Sequence, residues 1–177
     1  RIGGGLVTRM RFTRLGTPKA LFYTADEGSL FRYVSGVLTV LRENFGYLFN
    51  NPTSPYSARD FALLDGNDQA IAVAADAGGL WVATDGSSFT QKLSLLDIYN
   101  YPLGYALAVN EDPSDPGRIW AFIEGVWYDD DPWRRTKLYQ CGNYGISGCP
   151  NAVLGEWAGV LPGPGSDFKV NGLFATP

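Results

Sequence analysis

Apolar positions along this chain come in short runs with two rhythms. In MRFTRLG from Met10 and DFALLDG from Asp60, apolar and polar residues alternate, so Phe61 and Leu63 are expected to turn one side of their strand inward. The same holds for Ala106 and Val109 in YALAVN. ALFYTA from Ala20 and AIAVAA from Ala70 are instead nearly continuous apolar runs, the pattern of a strand covered on both faces. Each unit joins an alternating strand, a polar turn, an apolar strand, a Gly-containing turn and an aromatic-rich strand. It returns at a spacing of roughly 50 residues, three times in full, and DFKVNGLFATP from Asp167 begins a fourth.

The pattern predicts strands near 9–14, 20–25, 29–34 and 37–42, and again near 60–65, 70–75, 79–84 and 88–93. The third copy is looser: strands near 105–110 and 118–123 precede a long excursion, VWYDDDPWRRTKLYQC, then a cysteine loop and GEWAGVL. Four short strands per repeat of this length make one blade of a β-propeller, which needs neighbours to cover its faces. The expected fold is therefore all-β, with blades near 9–48, 58–98 and 103–162 and part of another at 166–177. A β-sandwich or barrel also uses many short strands, but the fixed period favours the propeller. Propellers typically have about four to eight blades, so residues 1–177 are expected to form an incomplete one.

Composition narrows the function classes. With 45% hydrophobic residues the chain has material for a core, and Gly 22 and Pro 11 spread along it suit turns joining strands. A net charge of −4 offers no basic field for a phosphate backbone, so nucleic acid is a poor partner. No apolar run is long enough to span a bilayer as a helix. Cys141 and Cys149 flank GNYGISG, a flexible segment that lets them meet as a disulfide-closed loop in an oxidising compartment; two reduced thiols in the cytosol are the alternative. The absence of histidine removes histidine-based triads and histidine metal sites. No phosphate-binding glycine loop is present, and no cofactor is expected.

Two segments carry a local device. In TADEGSLF the pattern runs Thr24, Asp26, Gly28, Phe31: a carboxylate placed to accept backbone N–H groups across a turn, a glycine free to take positive φ, and an aromatic ring for the core. ATDGSSF repeats it, one residue shorter, with Thr84, Asp85, Gly86 and Phe89. The third copy adds two Asp-Pro steps before a buried strand, in NEDPSDPGRIWAFIEG from Asn110. Together these resemble the BNR/Asp-box propellers, which include sialidases, xyloglucanase-type glycosidases, sortilin-type receptors and photosystem assembly factors. The resemblance spans most of the chain as a pattern. It implies a propeller whose Asp-boxes, here Asp26 and Asp85, are structural and lie away from the ligand-binding face. It does not imply one activity.

What remains for chemistry is paired carboxylates, or a nucleophile with clustered arginines. Arg11 loosely resembles the first arginine of the sialidases, without the Ile-Pro that follows it there. Asp60, Asp115 and Asp167 are carboxylates that a glycosidase cleft could use, and nothing ranks them. VWYDDDPWRR concentrates Asp129, Asp130 and Asp131, either weak Ca²⁺ ligands or a solvated acidic turn. Trp127, Tyr128, Trp133 and Arg134 form either a contact surface or, for Trp127 and Tyr128, an inward-packed strand. The expected function is a non-catalytic extracellular or cell-surface module, periplasmic in a bacterium, that contacts protein or glycan or serves a larger assembly. A glycoside hydrolase of the same superfamily is the alternative.

Overall fold

A computed structural model of the chain describes residues 6–16, 18–25, 28–48, 51–56, 58–65, 69–95, 104–115, 117–125, 136–141 and 153–156. Among them the fold is all-β, without a helix. β1 (Val7–Phe12), β2 (Leu21–Ala25), β3 (Leu30–Val34) and β4 (Val37–Arg42) form one antiparallel sheet in chain order. The β3–β4 hairpin turns on Ser35 and Gly36, at φ 49° and 86°. Positive φ at both central residues gives the turn the twist of the strands it joins.

β5 (Tyr47–Leu48) and β6 (Asn51–Pro55) form a two-stranded ribbon that the apolar pattern did not predict. Asn-Pro-Thr-Ser-Pro is a poor strand sequence, but each strand of a ribbon has a free edge where a proline loses no ladder bond. The second sheet comprises β7 (Asp60–Leu64), β8 (Ala70–Ala74), β9 (Leu80–Ala83) and β10 (Thr90–Leu93), again an antiparallel meander. The third comprises β11 (Gly104–Glu111), β12 (Ile119–Gly125), β13 (Thr136–Cys141) and β14 (Val153–Glu156). The sequence reading left 136–141 inside an excursion; it is the strand paired to β12 along its whole length. None of these sheets closes on itself.

Packing corrects one expectation. All five residues of β7 are buried, so alternation there separates two cores instead of core from solvent. Phe61 and Leu63 join Phe22, Leu30, Ile71 and Val73, between the first and second sheets. Ala62 and Leu64 join Ala72, Val82, Val109, Ile119 and Ala121, between the second and third. Burying one such Phe, Leu or Ile side chain is worth about 1.5–3 kcal/mol, so the second sheet holds the other two mainly through these faces. Arg42 caps the first core, its guanidinium 4.3 Å from the Trp81 ring centroid and 5.3 Å from that of Phe45. Burial there lowers its pKa from the usual arginine value.

The turn from β8 to β9, Asp76 to Gly79, is the tightest point in this packing. Asp76 and Gly79 take φ 43° and 80°, and the Gly79 N–H donates to the Asp76 carbonyl at 3.1 Å. A Cβ on Gly79 would lie 1.9 Å from the Leu93 carbonyl oxygen. Gly16 has a similar φ of 84° but open space around it. Gly79→Ala is therefore expected to lose about 3 kcal/mol or more, against about 1 kcal/mol for Gly16→Ala, in urea unfolding followed by circular dichroism.

Candidate functional site

β1, β7 and β11 are each the first strand and one edge of their sheet, and they come together at a shared junction. A cleft of about 390 Å³ opens there. Its walls come from all three sheets: Arg11, Phe12 and Arg14 from β1 and the residues after it, Ala62 and Leu63 from β7, and Asn110, Glu111 and Pro113 from the end of β11 onward. Strand edges carry backbone groups that the ladder leaves unpaired, so this junction must be satisfied by side chains.

Asp60 does most of that. Its side chain is 1% exposed, and Oδ1 lies 3.2 Å from Arg11 Nη2 and 3.6 Å from Arg9 Nε, both on β1. Oδ2 accepts the Val109 N–H of β11 at 3.1 Å. Arg11 also donates through Nε to the Phe61 carbonyl and sits 5.7 Å from the Phe61 ring centroid. A buried carboxylate is tolerable only when its lost hydration is replaced in this way.

Glu111, the last residue of β11, repeats the device at the other end of β7. Oε1 accepts the N–H of Asp65, at 2.5 Å, and of Gly117, at 3.5 Å, while Oε2 lies 3.2 Å from Arg14 Nη2. Asp65 itself takes φ 56°, so the Glu111 carboxylate holds the end of β7 in a turn. Arg14 is 69% exposed, and its pairing is worth at most about 1 kcal/mol. A third carboxylate, Asp76, pairs with Arg59 Nε at 2.6 Å, and its carbonyl accepts the Ala106 N–H at 2.9 Å. Three acids thus join sheets rather than facing the cleft as unengaged groups.

The sequence candidates fall as follows. Asp60 and Arg11 are brought together in the junction. Asp115 lies instead in the turn between β11 and β12, paired with Arg118. In that turn Asp112 accepts the Ser114 hydroxyl at 2.6 Å and the Ser114 N–H at 2.9 Å. Those bonds hold its pKa below the usual carboxylate value, the hydroxyl contributing most. Thr24 is fully buried, 2.8 Å from the Thr8 hydroxyl; Gly28 has φ 93°; and Phe31 stacks on Tyr23 at 4.8 Å. Asp26 lies outside the described residues, as do Trp127, Tyr128, Asp129, Asp130, Asp131, Trp133, Arg134, Cys149 and Asp167; Cys141 is described only as the last residue of β13. The sequence reading passed over Arg9, Arg14 and Glu111. The one signal for Glu111 was an acid placed where a strand meets the Asp-Pro turn. Among the described residues no three His, Cys, Asp or Glu side chains gather as a metal site would need.

The second short motif is described in full. Asp85 Oδ1 accepts the N–H groups of Ser87 and Ser88 at 2.9 and 2.7 Å, Gly86 has φ 82°, Thr84 is exposed, and Phe89 packs edge-on to Phe45. The Ser88 hydroxyl first, then the two N–H groups, lower the Asp85 pKa from 3.8 to about 2. In the unfolded chain the group titrates at its ordinary value. Between about pH 4 and 2 the unfolded state therefore binds more protons, and stability falls as pH drops through that window. Asp85→Asn should flatten this part of the stability–pH curve and leave the part above about pH 5 parallel to wild type, as measured by urea unfolding at each pH. Equal slopes in the acid window would remove the assigned role of the carboxylate.

No protein-family model matches this chain and no curated protein matches it, so its functional reading rests on the junction itself.

Proposed function

We propose that the three sheets are successive blades of a β-propeller of the Asp-box kind, and that the chain is a non-catalytic module for binding protein or glycan or for building a larger assembly. The observation that carries the second part is the state of the buried carboxylates. Asp60, Asp76 and Glu111 are each engaged by a guanidinium and hold backbone N–H groups through a carboxylate or carbonyl oxygen. Glycoside hydrolysis needs one carboxyl group that keeps a proton to donate and another placed to attack or to activate water. Carboxylate oxygens already engaged by a guanidinium or by backbone N–H groups hold the fold together and are poorly placed to meet a substrate.

The propeller reading draws on the order of the elements. Each sheet is a four-stranded meander whose first strand lies at the common junction and whose faces meet the next sheet. An extracellular or cell-surface setting, periplasmic in a bacterium, goes with this reading and rests on the proposed pairing of Cys141 with Cys149. The cleft at the junction, with the exposed Arg14 guanidinium at its mouth, is the part of the described surface best suited to a polar ligand.

A panel of sialosides and β-glucans tests the non-catalytic reading. No sugar release above the uncatalysed rate is expected. Clear turnover that disappears in Glu111→Gln, with the far-UV circular dichroism of the variant unchanged, would instead establish the hydrolase.

A further inference from the structure

The hydrogen-bonding capacity left over in the cleft is that of donors. Arg14 commits Nη2 to Glu111, and Arg11 commits Nε to the Phe61 carbonyl and Nη2 to Asp60. Each nitrogen of a guanidinium carries N–H. Among the described residues nothing engages Nε or Nη1 of Arg14, or Nη1 of Arg11. Glu111, the acid in the cleft wall, has both carboxylate oxygens engaged already. The acids of the β11–β12 turn, Asp112 and Asp115, are held by Arg118. A wall of two guanidinium groups and one carboxylate is thus left with one positive charge and no acid free to repel an anion.

Phe12 lines the same cleft and is 63% exposed, so an aromatic ring lies beside the unengaged donors. Aromatic and arginine side chains in a concave site are the residue types that anchor ligands. The cleft opens where β1, β7 and β11 end. β9 runs in the direction of β7, because both are antiparallel to β8, so the Asp85 turn that follows β9 lies at this same end. The Gly86 N–H of that turn donates to the Gln69 carbonyl, between β7 and β8, at 2.6 Å. The Asp-box resemblance places ligand away from such turns, whereas the unengaged donors lie on their side.

We infer that this cleft binds an acidic sugar, its carboxylate or sulfate group on the Arg14 guanidinium and its ring against Phe12. The inference deepens the binding reading above and rests on it. Oxygens of an ionised carboxylate or sulfate only accept hydrogen bonds, which suits a wall whose spare groups are donors. A planar guanidinium can take two such oxygens at once. At about 390 Å³ the cleft is at the small end of ligand pockets, which suits a compact ring better than an extended peptide.

Titration of the chain with glucuronate, sulfated glucose and plain glucose, followed by NMR of the arginine Nε–H groups, tests it. Both acidic sugars are expected to bind in the millimolar range or tighter and to shift the Arg14 Nε–H signal, and glucose is expected to do neither. Arg14→Gln should weaken both acidic sugars by about tenfold or more, and Arg14→Lys, which keeps the charge without the fork, by less. Phe12→Ala should weaken the acidic sugars and leave the binding of inorganic sulfate unchanged. Glucose bound as tightly as glucuronate, acidic sugars bound equally by wild type and Arg14→Gln, or tetraglutamate bound more tightly than either acidic sugar would each overturn the inference, the last in favour of an acidic protein. If a variant loses the wild-type far-UV spectrum, the comparison of glucuronate with glucose on wild type decides. Failure of both acidic sugars to bind would remove this site and leave the non-catalytic reading standing, whereas sugar release by the chain would overturn that reading and leave the site.

Discussion

The buried carboxylate of Asp60 is the constraint on which the arrangement of the three sheets depends. Taking a carboxylate out of water is strongly unfavourable, and it persists only where charge and hydrogen bonds replace the lost hydration. Here the replacements come from outside its own sheet: Arg9 and Arg11 from β1, and the Val109 N–H from β11. The two guanidinium groups are about a third exposed and keep part of their own hydration, so the desolvation falls chiefly on the acid. Moving either neighbouring sheet would leave Asp60 short of a partner it cannot recover from solvent.

Apolar contact supplies most of the attraction between the sheets but little of their register. The face toward the first sheet is built from Phe61, Leu63, Ile71 and Val73, and that toward the third from alanines with Leu64, Leu80 and Val82. Such surfaces are attracted over a range of relative positions, because the hydrophobic effect has no direction. Hydrogen bonds do have one. Asp60 at the start of β7, Glu111 beyond its end and, in the β8–β9 turn, the Asp76 carbonyl that accepts the Ala106 N–H give three separate points at which the sheets are registered. The same bonds take up backbone groups at strand edges, which would otherwise invite pairing with other chains.

Local chemistry was legible in the sequence, and long-range chemistry was not. Val37–Arg42 and Asp60–Leu64 lie where the apolar rhythm placed strands. Asp85 could be read because its partners lie within three residues. Burial of β8 on both faces followed from its unbroken apolar run. The ribbon of β5 and β6 was hidden by two prolines, and β13 by the charged residues around it. Asp60 stood among several carboxylates of equal standing, because its partners are about fifty residues away in both directions and no periodicity marks them. Glu111 escaped notice for the same reason, since Arg14 is 97 residues distant.

β11 is the edge of its sheet, and its Val109 amide is donated across the junction to Asp60. Native-state hydrogen exchange at that one amide is the most direct test of the account. If Asp60 holds the sheets as a unit, Val109 should exchange only through global unfolding, as slowly as the ladder amides of the fully buried β8. Exchange orders of magnitude faster than β8, through local opening, would mean that the third sheet moves independently and that the carboxylate does not join it to the rest.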